Sequence, residues 1–241
     1  MNRVRAVVCL PTYNERENLE PMLRALGGVL ERGCGVLVVD DASPDGTGEL
    51  ADRLAEELDH VSVLHRPRKE GLGPAYIAGF RQALADGADL VLEMDCDFSH
   101  DPADVPRLIA AAADADVVLG SRYVEGGMVA NWGATRRFVS AAGSWYARVL
   151  LGVGARDLTG GFKCYRRAVL ETVDLDSISS LGYAFQIETT YRALRAGFRV
   201  VEIPITFVDR EAGASKMSRK IVLEAVWRVP ALRLAALTGR L

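Results

Sequence analysis

The sequence lacks the features of disulfide-rich, metal-cluster and membrane-spanning proteins. Its four cysteines lie far apart, without the paired spacing of zinc or redox motifs: Cys9, Cys34, Cys96 and Cys164. The longest stretch free of charged side chains is residues 177–187, whereas a membrane-spanning helix needs about 20 apolar residues. The N-terminus shows no cleavable signal pattern. We therefore expect reduced thiols, a cytoplasmic protein and no membrane-spanning helix.

Neither sign of charge dominates the chain. Lys and Arg number 29 against 32 Asp and Glu, a net charge of -3, which disfavours a protein that coats nucleic acid. The 241 residues are 49% hydrophobic and 25% charged, a composition that excludes disordered and low-complexity classes. Residues 192–241 differ, because ten basic residues there accompany four acidic ones. A basic C-terminal part on an acidic body predicts contact with an anionic partner.

Strand-like and helix-like segments alternate along the first half of the chain. Strands are predicted at residues 4–10, 36–39, 61–64, 90–94 and 117–119, and helices between them at residues 14–30, 47–58, 74–85 and 102–113. This alternation predicts an α/β fold with a mostly parallel sheet and helices on both faces. The residues that follow each strand then share one edge of the sheet, where open α/β sheets bind ligands.

Acidic residues follow the fourth predicted strand in a pattern suited to a metal. Asp95 and Asp97 flank a single residue at the strand end, and two carboxylates there can share a hard divalent cation, Mg2+ or Mn2+. Alternatively, Asp95 and Asp97 could cap the helix that follows, but Asp101, directly before Pro102, is better placed for that role. The sequence has neither the Gly-rich turn of dinucleotide folds nor a nucleoside triphosphatase loop. Bound phosphates would therefore need a metal and arginines, and Arg122, Arg136 and Arg137 are candidates.

Three later segments also carry polar groups with a potential role. Residues 157–162 form a polar, Gly-rich turn that could approach a ligand through its backbone. Gln186 and Glu188 lie among apolar residues, where a carboxylate needs partners or a role. Residues 209–216 have no helical or strand period and carry Arg210 and Lys216, which suit a phosphate.

Taken together, these stretches resemble the family 2 inverting glycosyltransferases and, within them, the polyprenol (dolichyl) phosphate mannosyltransferases. The matching stretches cover nearly the whole chain in order: residues 10–15, 39–47, 94–100, 120–123, 157–162, 182–188 and 208–216. The first three occur broadly in family 2, and the later ones are more specific to the polyprenol-phosphate branch. The resemblance implies a GT-A, Rossmann-like fold, a GDP-mannose donor and a polyprenyl phosphate acceptor.

The resemblance also implies roles for individual residues. Those that would hold the nucleotide are Pro11, Tyr13, Glu15 and Asp41, with Asp40 and Asp45 as additional supports. Asp95 and Asp97 would hold Mg2+ or Mn2+ against the diphosphate. Ser99 stands at a metal-ligand position that the family often fills with Gln, and water can substitute for its shorter side chain. The residues that would contact donor and acceptor phosphates are Arg122, Arg137, Arg210 and Lys216.

The chemistry of such a reaction agrees with these residue types. A phosphate monoester is largely ionised at pH 7, since its second pKa is about 6, so the acceptor needs no strong base. Electrostatic positioning of two anions then carries the reaction. Inversion at an α-linked donor would give a β-linked mannosyl phosphate lipid.

The C-terminal segment is suited to a lipid acceptor. Residues 220–237 predict an amphipathic helix that could lie in a membrane interface or pack on a partner protein. We therefore expect a catalytic domain over residues 1–217, a contact helix over residues 218–241, and peripheral attachment to the cytoplasmic face of a membrane.

Other functions remain open on the sequence alone. A polyprenyl-phosphate glucosyl- or N-acetylglucosaminyl-transferase that uses a UDP-sugar would need the same fold and metal site. A nucleotide-sugar-binding protein without turnover would differ only in activity. Nucleotidyl transfer is disfavoured, because its Gly-rich N-terminal phosphate loop is missing.

Overall fold

The computed structural model describes residues 4–178, 180, 182–209, 219–239 and 241. In the first half, strands and helices alternate as the sequence predicts: β1 (Ala6–Thr12), α1 (Arg16–Val29), β2 (Gly35–Asp40), α2 (Thr47–Glu57), β3 (Val61–His65), α3 (Leu72–Ala85), β4 (Leu90–Glu93), α4 (Val105–Ala111) and β5 (Val117–Ser121). The second half adds β6 (Met128–Ala130), α5 (Ala134–Leu151), β7 (Lys163–Arg166), α6 (Arg167–Thr172), α7 (Gly182–Arg195), β8 (Val200–Pro204), β9 (Thr206–Val208) and α8 (Arg219–Leu237).

Seven strands form one twisted sheet in the order β3-β2-β1-β4-β7-β5-β8. Every neighbouring pair is parallel except those of β7, which runs antiparallel between β4 and β5. The predicted mostly parallel α/β sheet with flanking helices is confirmed. The antiparallel insertion separates the ends of β4 and β5 by one strand, and the turn that precedes β7 fills the space between them.

Both faces of the sheet are covered by helices. On one face α1 buries Leu19, Met22 and Leu23. On the other face Tyr76 of α3 stacks against Phe185 of α7, with ring centroids 5.9 Å apart. Because both faces are buried, the central strands are almost continuously apolar, as parallel strands usually are.

Local structure at two helix starts differs from the simplest sequence expectation. Asn14 has a φ of 55° and the first helix begins at Arg16, so Asn14 shapes the turn rather than capping the helix. The predicted helix at 102–113 begins instead with a 3-10 turn, Pro102–Asp104, in which Asp101 accepts a hydrogen bond from the Ala103 N–H at 2.9 Å. The capping role expected of Asp101 is confirmed.

A second, two-stranded sheet lies beside the edge where the parallel strands end. It pairs β6 with β9, and it is tied to the β4 end because the Val208 N–H donates to the Ser99 carbonyl at 3.1 Å. Phe207 of β9 contacts the rings of Trp132 and His100, with centroids 5.2 and 5.3 Å away. This sheet therefore forms one wall of the edge at which the strand-end residues meet.

Candidate active site

The carboxyl ends of β1, β2, β4 and β5 lie along one edge of the sheet, as their parallel direction requires. Neighbouring ends are joined by backbone hydrogen bonds: the Asp41 N–H donates to the Thr12 carbonyl at 3.1 Å, and the Met94 N–H donates to the Cys9 carbonyl at 3.3 Å. The residues that the sequence indicated after β1, β2 and β4 are therefore brought together.

Asp40 and Asp45 are used by the chain itself. Asp40 accepts hydrogen bonds from the Ser43 hydroxyl at 2.6 Å and from Thr12 at 3.1 Å, which fixes the β2 loop. Asp45 accepts from the Thr47 N–H and hydroxyl at 3.0 and 2.6 Å. Burial opposes ionisation of Asp45, but the hydrogen bonds from Thr47 and the Arg16 N–H lower the pKa of this carboxyl overall. Both aspartates shape the walls of the edge, and their carboxylates are committed to that task.

Asp41 and Tyr13 face a short basic segment that follows β3. The Asp41 carboxylate pairs with Arg66 at 2.5 Å, and Arg66 also contacts Glu70 at 2.8 Å. Burial raises the pKa of Asp41, with the Arg66 charge opposing the rise. The ammonium of Lys69 lies 3.7 Å from the centre of the Tyr13 ring. An aromatic face, a carboxylate and cations so arranged can hold a nucleobase and its ribose.

Pro11 and Glu15 complete this part of the edge. Pro11 lies in β1 opposite Val39 and is half-buried. Glu15 is buried, its N–H donates to the Thr47 hydroxyl at 3.1 Å, and its carboxylate accepts from the Asn18 amide at 2.9 Å.

Asp95 and Asp97 project from the loop after β4. Asp95 Oδ1 accepts a hydrogen bond from the Tyr76 hydroxyl at 3.3 Å, and Asp97 Oδ1 accepts from the Ser99 N–H at 3.0 Å. Asp97 is buried, with 6% of its surface exposed. The two carboxylates supply the oxygen donors that Mg2+ and Mn2+ prefer. Within the described residues no three His, Cys, Asp or Glu side chains converge on a common point, so other oxygen donors would have to complete the shell of a metal here.

His100 supports the same loop from behind. Its ring stacks on Phe162 with centroids 4.9 Å apart, and Nδ1 lies 3.5 Å from the Asp95 backbone nitrogen. Burial lowers the pKa of His100 to about 4, while the negative charges of Asp97 and Asp157 oppose that shift. The imidazole is thus neutral at pH 7 and able to accept a hydrogen bond.

Arg122, at the end of β5, is held by Asp157 in a buried, two-pronged ion pair. Arg122 Nε and Nη2 donate to the two Asp157 oxygens, each at 2.7 Å, and the Arg122 backbone N–H donates to the same carboxylate at 3.0 Å. Burial raises the pKa of Asp157, but Arg122 outweighs it and lowers that pKa overall. The sequence indicated the turn that contains Asp157 and, separately, Arg122; it gave no sign that the two are partners.

A buried polar cluster lies behind Asp95, and sequence reasoning missed most of it. Lys163 stands opposite Glu93 in the β4–β7 pair, and its ammonium donates to the Gln186 carbonyl at 2.7 Å. Burial raises the pKa of Glu93 and lowers that of Lys163 to about 8, each charge opposing the shift of the other. The available signal was a Lys inside the otherwise apolar segment 162–165.

Glu188, singled out in the sequence as a buried carboxylate, is fully satisfied. It accepts from Arg192 at 2.8 and 2.9 Å and from the Ser180 hydroxyl, and it lies 3.5 Å from Arg228 of α8. Glu188 therefore joins α7 to α8.

Of the other cations that the sequence predicted to bind phosphate, only Arg137 has a side chain that the structure describes. Arg137 lies on the first turn of α5 and donates to the Trp132 carbonyl at 3.2 Å, which places its guanidinium beside the Trp132–Phe207 wall. Arg210 and Lys216 lie outside the described residues, as does the side chain of Arg136.

Comparisons with known proteins agree on one family. The model of the family described as glycosyl transferase family 2 matches residues 7–174. The undecaprenyl-phosphate mannosyltransferase of Micrococcus luteus is 52% identical over 233 residues, which span 97% of this chain and 96% of the relative. The polyprenol monophosphomannose synthase of Mycolicibacterium smegmatis is 50% identical over 230 residues, which span 93% of this chain and 85% of the relative.

Among solved structures, a mannosyltransferase from Pyrobaculum calidifontis, in complex with GDP-Man and Mn2+, has a similar fold. Its TM-score is 0.61 at 18% identity, over 99% of this chain and 75% of that one. At this identity the likeness shows the fold alone.

Proposed function

The chain belongs to glycosyl transferase family 2, and from that membership we propose that it transfers mannose from GDP-mannose to the phosphate of a polyprenyl lipid. Two observations together carry the proposal. A half-buried and a buried carboxylate, Asp95 and Asp97, follow β4, and two polyprenyl-phosphate mannosyltransferases are at least 50% identical to this chain along nearly its whole length. The matches cover 97% and 93% of this chain, so they extend beyond residue 174, where the match to the wider family ends.

The donor is assigned to the edge between Tyr13 and Asp97. Tyr13, Lys69 and the Asp41–Arg66 pair are disposed to hold the nucleoside, and Pro11 and Glu15 shape the floor beneath it. Asp95 and Asp97 would then meet the diphosphate through a divalent cation, Mg2+ or Mn2+, with the Ser99 position or water as a further donor. When bound, the metal would neutralise charge that develops on the leaving diphosphate.

The acceptor is assigned to the β5 side of the edge. A lipid phosphate monoester is already largely ionised at pH 7, so the chain must hold and orient it rather than remove a proton from it. Asp157 holds the Arg122 guanidinium in a fixed position for this task. Because Asp157 also partly neutralises Arg122, the attraction of Arg122 for a second anion is reduced. Arg137, Arg210 and Lys216 are the further cations that we assign to donor and acceptor phosphates.

Two neighbouring helices present an apolar face that fits a lipid surface. On α5 the exposed residues Phe138, Trp145 and Val149 share one side, spaced seven and four residues apart. On α8, the exposed residues on one side are Trp227, Leu234 and Leu237, with 77%, 62% and 70% of their surfaces exposed. We call these six residues the α5–α8 apolar face.

Two cations of α8, Arg228 and Arg233, bind groups of the protein itself. Arg228 Nε donates to the Ser180 hydroxyl at 2.8 Å, and Arg233 donates to the Leu151 carbonyl at 3.2 Å. On the opposite side of α8, Val229 and Leu232 pack against α5 and α7. The helix is thus apolar on two faces, one for the protein core and one turned outward.

We assign the outward face to the interface of an anionic membrane at the cytoplasmic side, where amphipathic and aromatic side chains are stabilised. Among the described residues, no helix is long and apolar enough to cross a bilayer. A membrane-anchoring partner protein is the competing occupant of this face.

The substrate proposal is tested by incubating the purified protein with each of three radiolabelled donors and a polyprenyl phosphate, followed by extraction into organic solvent. The donors are GDP-mannose, UDP-glucose and UDP-N-acetylglucosamine, with Mg2+ and with Mn2+ in parallel. We expect label in the organic phase from GDP-mannose only, dependent on the metal and abolished by EDTA.

Preferential transfer from a UDP-sugar would replace the proposal with the glucosyl or N-acetylglucosaminyl alternative. Binding of GDP-mannose without any extractable product would indicate a nucleotide-sugar-binding protein that lacks turnover.

A further inference from the structure

Four buried polar atoms behind the proposed metal site have no hydrogen-bond partner within the described part of the chain. They are both carboxylate oxygens of Glu93 and both amide atoms, Oε1 and Nε2, of Gln186. Glu93 is completely buried and Gln186 is 2% exposed. A buried polar group without a partner destabilises the folded protein, so four such atoms at one place require an explanation.

The polar groups around these atoms lie close together without forming well-aligned hydrogen bonds to them. The Gln186 and Tyr165 side chains lie near enough to the Glu93 carboxylate to favour its charged form, but neither contact has the geometry of a well-formed hydrogen bond. Lys163 donates two of its three ammonium N–H groups, one to the Gln186 carbonyl at 2.7 Å and one to the Thr189 hydroxyl at 3.4 Å. Buried polar groups that lack well-formed direct hydrogen bonds are commonly bridged by water, which makes about three hydrogen bonds when buried.

This cluster reaches Asp95 by two routes. Glu93 is the last residue of β4 and Asp95 follows it by two residues, and Tyr76 interacts electrostatically with both carboxylates while donating to Asp95 Oδ1 at 3.3 Å. Across the turn, a Cβ atom on Gly161 would lie 3.4 Å from Gln186 Nε2 and 3.9 Å from Asp95 Oδ2. The Asp95 carboxylate is therefore bounded by Tyr76 on one oxygen and by the Gly161–Gln186 wall on the other.

We propose that Glu93, Lys163 and Gln186 hold one or two buried water molecules and that, through them, Glu93 and Gln186 are positioning residues for the metal-binding carboxylate of Asp95. Direct pairing of Glu93 with Lys163 would leave the Gln186 amide free to rotate. Water shared by all three fixes the amide, and the fixed amide keeps the Gly161 turn and Asp95 in one arrangement. The proposal rests on the proposed function, because it assumes that Asp95 binds the metal.

Groups that orient metal ligands from behind typically contribute about 10- to 100-fold to metal affinity. Gln186→Leu replaces the amide with a shorter, branched apolar side chain and so removes its polar atoms. Glu93→Gln keeps a hydrogen-bonding group and removes the charge. Cys164→Ala is the matched control: it is fully buried on β7 next to Lys163, but it packs into the cluster on the opposite face of the sheet.

The experiment is a titration of each protein with Mn2+ in the presence of GDP, followed by electron paramagnetic resonance, with thermal unfolding measured on the same samples. We expect Gln186→Leu and Glu93→Gln to weaken Mn2+ binding about 10- to 100-fold. We expect Cys164→Ala to lower the unfolding temperature while Mn2+ affinity stays at the wild-type value. Wild-type Mn2+ affinity in Gln186→Leu and Glu93→Gln would overturn the positioning role, whatever happens to their stability.

The two proposals fail in different ways. If the wild-type protein itself binds no Mn2+ with GDP, the metal assignment of the proposed function is wrong, and the positioning role falls with it. The claim that buried water bridges Glu93, Lys163 and Gln186 is tested separately by a high-resolution crystal structure of the wild-type protein. Ordered water within hydrogen-bonding distance of Glu93 and Gln186 supports it, and a direct Glu93–Gln186 hydrogen bond without water overturns it.

Discussion

Individual aspartates at the sheet edge divide between structural and ligand-binding tasks. Asp40 and Asp45 are saturated by neighbouring Ser, Thr and backbone donors, and Asp157 is saturated by Arg122. Asp95 and Asp97 instead follow the buried strand β4 at the ligand-binding edge of the sheet, where Tyr76 and the Ser99 N–H donate to them and their oxygens are of the type that Mg2+ and Mn2+ prefer. Ligation of a metal is therefore assigned to Asp95 and Asp97.

Asp97→Asn should reduce transfer by about 10²- to 10³-fold, because it removes one preorganised charge from the site and leaves core volume unchanged. Initial rates of mannose transfer and a circular dichroism melt check this. The matched control is Asp101→Asn in the same loop, since Asn also caps helices and the position is exposed. An Asp97→Asn protein with more than half of the wild-type rate and no sensitivity to EDTA would show that the metal assignment is wrong.

Asp157→Asn should lower the free energy of unfolding by about 3–5 kcal/mol, because it leaves the buried Arg122 guanidinium without its negatively charged partner. Urea denaturation at pH 7 measures this. The double variant Arg122→Met, Asp157→Leu should be more stable than Asp157→Asn, since an apolar pair leaves no buried charge. The same low stability in both proteins would contradict a role for the stranded charge.

The stability that Asp157 contributes should depend on pH in one direction. Its pKa in the folded protein is lowered below the ordinary value of 3.8, so the unfolded chain binds the proton more readily. The contribution is therefore fully present above pH 3.8 and is lost as the pH falls through the lower, folded-state pKa. The difference in unfolding free energy between wild type and Asp157→Asn should shrink from pH 7 to below pH 3; a difference that grows on acidification would contradict the pairing.

The residues of the site were predictable from the sequence to different degrees. Asp95 and Asp97 could be found because a strand end followed by two carboxylates is a local pattern. The partner of Arg122 could not, because Asp157 lies 35 residues away and only the turn before β7 brings it near. Lys163 was missed for the same reason: its place behind Asp95 depends on a short antiparallel strand.

At the scale of elements, α5 and α8 are the parts that a lipid acceptor would meet. Their apolar face combines aromatic and aliphatic side chains that are exposed in the monomer, while the opposite sides of both helices pack into the protein. An exposed apolar face of this kind indicates an interaction surface.

The double variant Trp227→Glu, Leu234→Glu should sharply reduce use of long-chain polyprenyl phosphate in anionic vesicles, because two carboxylates would enter an apolar, negatively charged interface. Loss of use of a short soluble acceptor should be smaller. Vesicle flotation and transfer rates with both acceptors are the measurements.

Arg53→Glu is the matched control for this variant, since it changes the net charge by the same amount at an exposed position of α2. It should bind vesicles as the wild type does. Equal losses with long and short acceptors in the double variant would assign the face to folding or catalysis instead of membrane contact.

Elements were predicted well where the chain alternates regularly and poorly where it does not. From residue 4 to residue 121, apolar runs and helical periods succeed one another, so each strand was found to within a few residues. After β5 the chain adds four strands, three of which have only three or four residues, and one of these, β7, is antiparallel between β4 and β5. Strands of three or four residues have too little periodicity to be read from sequence, and their pairing is decided by distant partners.

At the scale of the whole molecule, one edge of the sheet joins three different environments. The proposed nucleoside site lies by β1 and β2, the proposed metal site by β4, and Arg122, which we propose binds phosphate, by β5. In this arrangement a water-soluble donor would lie at one end of the edge and a lipid acceptor at the other, with the acceptor phosphate directed at the sugar carbon.

The anomeric configuration of the product tests direct transfer between these two substrates most sharply. Mannosyl phosphate lipid made by the purified protein from GDP-mannose and polyprenyl phosphate can be assigned by nuclear magnetic resonance from its anomeric carbon–proton coupling. A single in-line displacement on the α-linked donor predicts a β-linked mannosyl phosphate. An α-linked product, or mannose attached to any group other than the lipid phosphate, would contradict the proposed function.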